Sequence, residues 1–254
     1  ARLDLKEEEA QVAVILFAVF PTAYFLSVPY METVYCAASV ACVYYLRSEK
    51  FGAAAVAGFL TSSSRLPGML LIPALGLYWW SRRREWTRRQ RLGFCLVGAG
   101  LVLGLLLFLG LNRYYYGSWF YYLEHQKKWG VHISWPFHGA WNAWAAYPGW
   151  KIHDRMALSV FGVLFAVLAV PGLWLVSRAR GILDFSYALF SVLLIVCSDF
   201  WLSPPRFLLA VYPFFLAIAP WISRSPIRLA GYLFCSGSLF AVFFARYLGA
   251  AWAY

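Results

Sequence analysis

Four charged residues, Glu32, Arg65, Asp199 and Arg206, lie inside or at the edges of long apolar stretches. A charged side chain near a bilayer centre costs about 2.5 to 3.5 kcal/mol on insertion scales, so such residues are functional candidates by default. A guanidinium grips phosphate oxygens in a bidentate way and keeps its charge in poorly solvated surroundings. Arginines beside a carboxylate therefore suit a phosphate-bearing lipid substrate. In glycosyl transfer from a lipid phosphate, a carboxylate takes the acceptor's proton while cationic groups hold the departing phosphate, and no metal is needed.

Composition supplies the membrane. Of 254 residues, 62% are hydrophobic and 13% are charged, against about 25% charged in soluble domains. That excludes an ordinary water-soluble domain and charge-rich disorder alike. The net charge of +11 would point to nucleic acid in a soluble protein. Here the basic residues sit in short clusters between apolar runs rather than on a solvated stripe, so nucleic acid is not an expected partner. The five cysteines lie in apolar stretches without a CxxC spacing, which argues for small core residues over a zinc site or a disulfide framework.

Stretches long enough to cross a bilayer, about 20 apolar residues each, occur near 11–28, 30–46, 92–111, 156–176, 183–202, 206–222 and 229–249. This predicts an all-α polytopic membrane protein with seven full spans. The clusters at Arg47 and Lys50, at Arg82 to Arg91, at Arg178 and Arg180, and at Arg224 and Arg228 are expected on the cytoplasmic side. Keeping the first two on one side requires an even number of crossings over 51–80. The run Thr61-Ser62-Ser63-Ser64-Arg65-Leu66-Pro67-Gly68 provides the break, since Pro67 removes a backbone donor and the hydroxyls can satisfy freed backbone groups. The expectation is a helical hairpin with Arg65 at its apex. Its arms of about 12 and 15 residues reach only ~18 and ~22 Å at 1.5 Å per residue. Gly100 and Gly104, with Ala53, Ala55, Ala57 and Gly58 on the first arm, predict close helix packing. No fixed-period repeat or long linker divides residues 1–254, which read as a single transmembrane domain.

The one long connection, 112–155, carries all four histidines and many aromatics. Residues 118–129 have the pattern of a helix lying in the membrane interface. Aromatic residues at headgroup depth form an anchoring belt, and aromatic walls with a few polar groups also line ligand pockets. The histidine spacings match no metal-binding pattern, so neither metal nor cofactor is expected.

Phe20-Pro21, Pro29-Tyr30-Met31-Glu32, the Arg65 to Gly68 step, the stretch from Gly117 to Gly130 ending Gln126-Lys127-Lys128-Trp129-Gly130, and Pro205-Arg206-Phe207 followed by Pro213 resemble, in that order, the PIG-V-like mannosyltransferases of the GT-C superfamily (GPI mannosyltransferase II-like). The resemblance runs from about residue 11 to 222. It implies a GT-C-like membrane enzyme that moves mannose from a polyprenyl or dolichyl phosphate carrier to a lipid-linked or glycan acceptor on the non-cytoplasmic side, with inversion and without metal. It also implies substrate-binding roles for Glu32, Arg65, Gln126, Trp129 and Arg206.

One departure concerns the catalytic base. Enzymes of that superfamily usually place an Asp in the first outer loop after a first span, and nothing before residue 11 can be both. The expectation is therefore a base upstream of Ala1, with Glu32 or Glu124 as the fallback, and an N-terminally truncated chain inactive alone. The acidic opening from Asp4 to Glu9, without an initiator Met, is also unlike the cationic start of a signal peptide. The bare loops favour a bacterial plasma membrane over the endoplasmic reticulum.

Two other classes are weighed against this. A transporter or lipid flippase would use the broken helix at Ser62 to Pro67 as a transit site, but no inverted repeat accompanies it. A noncatalytic membrane scaffold explains the spans and leaves Glu32, Arg65 and Arg206 without a reason.

Overall fold

The structure is a computed structural model that describes residues 5–128, 132–145, 160–199, 201 and 204–249. Among these the secondary structure is helical, apart from one antiparallel bridge between Ile133 and Ser198. The all-α class holds. In chain order come α1 (Glu7–Ala18), a 3-10 turn at Ala23–Leu26, α2 (Glu32–Arg47), α3 (Phe51–Ser64) and a second 3-10 turn at Leu66–Leu70. They are followed by α4 (Leu71–Arg82), α5 (Arg88–Tyr116), α6 (Tyr121–Lys128), α7 (His138–Ala145) and α8 (Gly162–Ala179). The last four are α9 (Ile182–Val196), α10 (Pro204–Leu209), α11 (Pro213–Ser223) and α12 (Pro226–Leu248).

Among the described residues three helices are long and apolar enough to cross a bilayer: α5 with 29 residues, α8 with 18 and α12 with 23. They make the chain compatible with an integral membrane protein. Seven unbroken spans are not what the described residues form. The stretch 11–28 divides into α1 and a 3-10 turn, because Pro21 has no N–H and disfavours helix at Phe20 before it. The stretch 206–222 divides into α10 and α11, with Pro213 in the first turn of α11, where its missing donor costs nothing. The stretch 183–202 is helical only to Val196. In contrast, α5 overruns the expected 92–111 at both ends. It starts on a Thr87–Gln90 capping box and stops at Gly117, whose φ of 79° ends the helix in a conformation glycine adopts readily.

The chain forms two compact units, Ala1–Pro29 with Gly130–Gly181 and Ser191–Tyr254, and Tyr30–Trp129 with Ile182–Phe190. The core of the first is built by α1, α10 and α11 through Val12, Ala13, Leu16, Leu209, Phe215, Ala219 and Ile222. Where α1 ends, its last carbonyls have no partner within the helix. Two hydroxyls of α12 supply donors: Tyr232 donates to Leu16 O at 2.6 Å and Ser236 to Val19 O at 2.8 Å.

In the second unit, the expected break at Arg65 is present, with α3 ending at Ser64 and the 3-10 turn beginning at Leu66. Of the hydroxyls before it, Ser64 meets the expectation by donating to Thr61 O, one of the last four carbonyls of α3. Thr61 and Ser62 instead bond back to Ala57 O and Gly58 O, one turn inside the helix. The small residues of α3 and α5 also meet as expected. A Cβ on Gly100 would lie 2.3 Å from Ala55 O, and one on Gly104 would lie 2.2 Å from Phe59 O. Ser62 Oγ crosses to Leu101 O at 2.6 Å, so the close approach also satisfies a polar group. Gly104→Leu would force backbone against side chain, and overpacking of this kind typically costs about 1–3 kcal/mol. A lowered thermal midpoint in detergent is the expected result, and an unchanged midpoint would show that α3 and α5 do not pack this closely.

Candidate functional site

The site begins at the N-terminus of α2. Glu32 occupies the first turn of that helix, where the helix dipole offsets a carboxylate's charge. It is 1% exposed, yet it has a cation against it: Arg65 Nη1 donates to Glu32 Oε1 at 2.5 Å. Arg65 is the residue between α3 and the 3-10 turn, with extended backbone (φ −151°, ψ 143°). Its side chain is 18% exposed. The helix break thus carries the arginine away from the axis of α3 and delivers it to the end of α2, 33 residues earlier in the chain.

The opposite end of α2 repeats this arrangement with the signs reversed. Arg47, in the last turn, lies 3.0 Å from Asp184 Oδ2, and Asp184 is fully buried in the first turn of α9. Between the two ion pairs the hydroxyls of Tyr35 and Tyr187 are hydrogen-bonded at 2.8 Å. Sequence reasoning missed Asp184 and Tyr187. A carboxylate two residues into an apolar helix was the available signal, because burial of such a group requires a partner.

The remaining candidates lie apart from this pair in the chain and are described where they stand. Gln126 is on α6, half-buried. Trp129 lies outside the described residues. Glu124, the fallback base, is exposed on α6 and accepts a hydrogen bond from Ser118 Oγ at 2.7 Å, which closes the turn leading into that helix. Of the segment 118–129 expected to be helical, Tyr121–Lys128 forms α6. Beside it Tyr116 and Tyr121 stack at 4.2 Å across Gly117, and Tyr121 stacks on His125 at 5.9 Å. Tyr114, Tyr115 and Tyr116 are all strongly exposed, as residues of an aromatic belt would be.

Compared with known protein families, with curated proteins and with solved structures, the chain matches none. What it can do rests on its own geometry.

Arg206 belongs to the first unit, on α10. Its guanidinium lies 4.2 Å over the ring of Phe25, a cation–π contact that holds it in a defined place. Nearby, Thr22 Oγ1 donates to Pro205 O at 3.1 Å. Asp199 also lies in the first unit, three residues beyond the end of α9. Hydrogen bonds from His138 and from Ser134 hold its carboxyl below the usual carboxylate range. Among the described residues no three His, Cys, Asp or Glu side chains gather as metal ligands.

Chemically, the Glu32–Arg65 contact is a guanidinium with a fixed position at the end of a helix. An exposed arginine would lose side-chain entropy on meeting a ligand, whereas one tied to a buried carboxylate has lost it already. The arrangement fits Glu32 as the anchor that positions Arg65 better than as a free proton acceptor.

Proposed function

We propose that this chain belongs to a membrane glycosyltransferase that moves mannose from a polyprenyl or dolichyl phosphate carrier to a lipid-linked or glycan acceptor on the non-cytoplasmic side of a bacterial plasma membrane. The observation that carries the reading is the Glu32–Arg65 pair. A buried carboxylate positions a partly exposed guanidinium at a helix break, within a chain that has helices able to span a bilayer. The order of short motifs resembling the PIG-V-like enzymes supports it.

In this reading Arg65 grips an oxygen of the donor's phosphate. The acceptor hydroxyl attacks the anomeric carbon, the bond from that carbon to the phosphate oxygen breaks, and the phosphate leaves with the electron pair. A fixed guanidinium opposes the charge that grows there, and groups of this kind are worth about 10²–10³ in rate. Arg206, held over Phe25, is a second guanidinium of the same chemical kind. The hydroxyl proton passes to a carboxylate base, for which Glu124, exposed on α6, is the fallback within this chain.

The test is transfer of labelled mannose from polyprenyl-phosphate mannose by the full-length protein in vesicles. Glu32→Gln and Arg206→Ala should each abolish transfer while expression is retained, and unchanged transfer in both removes the proposed roles. The helix break at Arg65 also fits a transporter, for which the outcome would be carrier movement across the vesicle membrane without a covalent product.

A further inference from the structure

A second group of polar side chains lies in the first unit, outside the Glu32–Arg65 site. Residues 132–137 run alongside 196–199 in a short clasp. Ser134 N donates to Cys197 O at 2.7 Å, Phe137 N to Val196 O at 2.8 Å, and Asp199 N to His132 O at 2.9 Å. Ile133 and Ser198 form the antiparallel bridge at its centre. The clasp closes tightly at Gly139, where a Cβ would lie 2.3 Å from Ser198 O.

Next to Gly139 the backbone is strained. Phe137 has φ 66°, a left-handed conformation that a bulky side chain adopts only at a cost and that clusters at binding and catalytic sites. Its ring meets the buried Trp201 at 5.8 Å. The strained residue immediately precedes His138, the first residue of α7, and the outcome is a specific contact: His138 Nδ1 lies 2.7 Å from Asp199 Oδ1. Asn142, one turn along α7, brings its amide within 3.2 Å of the same nitrogen.

The chemistry of that nitrogen follows from its neighbours. A carboxylate accepts and cannot donate, and the shorter, charge-assisted contact dominates, so Asn142 Nδ2, itself a donor, lies beside Nδ1 without bonding to it. Nδ1 therefore carries the proton, which leaves Nε2 as the lone-pair nitrogen of the neutral ring. Among the described residues none bonds to Nε2, and the His138 side chain is 48% exposed. Three residues to either side stand two strongly exposed tryptophans, Trp135 at 84% and Trp141 at 69%. Trp141 is about one turn from His138 on the same helix, and exposed indoles at this spacing from directional polar groups suit a ligand with an apolar ring face and a rim of hydroxyls.

We propose that His138, held by Asp199, forms with Asn142, Trp135 and Trp141 a binding site for a pyranose sugar, in which Nε2 accepts a hydrogen bond from a ring hydroxyl. This goes beyond the transfer reaction proposed above. It needs only the first unit and stands whether or not transfer is found. His138 and Asn142 supply polar contacts, and the indoles supply the apolar faces. Asp199 is a positioning residue that acts through the imidazole tautomer.

The test is made on the full-length protein labelled with 15N-histidine, solubilised in a detergent without a sugar headgroup. Long-range 1H–15N correlations report the tautomer of each neutral imidazole. His138 should carry its proton on Nδ1, in contrast to the Nε2–H form that free histidine prefers, and Asp199→Asn should reverse it. Methyl α-mannoside should then shift the His138 Nε2 resonance in the wild type, and His138→Leu should weaken sugar binding about tenfold, the loss of one good hydrogen bond.

Trp141→Ala removes a surface side chain, so it tests the site even if Asp199→Asn does not fold. It should weaken the response to sugar while leaving the tautomer in place. An Nε2–H tautomer in the wild type overturns the proposal. So does a His138 resonance indifferent to methyl α-mannoside, or a sugar response unaltered by Trp141→Ala. A lipid-linked mannoside that shifts the resonance where the free glycoside does not would place the ligand's recognition in its lipid and overturn the sugar site.

Discussion

Arg65→Met is expected to destabilise the protein by about 3–5 kcal/mol, the usual cost of removing one partner of a buried ion pair. The cost comes from the partner that stays behind. Glu32 is 1% exposed at the end of α2, and without the guanidinium its charge lacks its main compensation. If that is the reason, the double variant Glu32→Gln/Arg65→Met should recover much of the loss, because a neutral pair carries a far smaller desolvation cost. Thermal or denaturant unfolding of wild type, both single variants and the double variant, treated as a double-mutant cycle, gives the coupling directly. A coupling near zero would mean that the contact is incidental. Under the proposed function, mannosyl transfer should stay absent in the double variant even where stability returns, since the group proposed to grip the phosphate is gone.

The second large effect is predicted at the other end of the same helix, and it serves as the control for the first. Arg47→Met leaves the fully buried Asp184 facing the same problem as Glu32, again at about 3–5 kcal/mol. Arg47→Met/Asp184→Leu should recover stability, as replacement of a buried pair by apolar residues often does. Here the functional outcome differs: under the proposed function the rescued variant should keep its transfer activity, because that reading gives this pair no part beyond fastening α2 to α9. Equal loss of transfer in both rescued double variants would show that the Glu32–Arg65 end has no special role. The two pairs bracket α2, whose 16 residues span about 24 Å at 1.5 Å per residue. The comparison thus holds the helix constant and changes only which end is altered.

The features legible in advance share a local cause. The helix break at Arg65 was readable because Ser, Pro and Gly act on their own backbone and on that of the adjacent turn. The meeting of α3 with α5 was readable because a stripe of small residues on each permits an approach that larger side chains forbid. The divided helices at Pro21 and Pro213 were misread as continuous spans. An apolar count over a window does not register where a single proline removes a donor, and the hydroxyls of Tyr232 and Ser236 that make the end of α1 tolerable come from more than 200 residues away.

By itself the sequence determined that the chain is helical and apolar enough for a bilayer, where one helix must break and which faces can approach closely. These properties belong to single residues and short spacings, summed along the backbone. Only the tertiary structure decided the partners. Glu32 meets Arg65, Arg47 meets Asp184, and His138 meets Asp199 across 33, 137 and 61 positions. No local propensity encodes such a pairing. A buried charge must find an opposite one, and which one is within reach depends on how the helices pack.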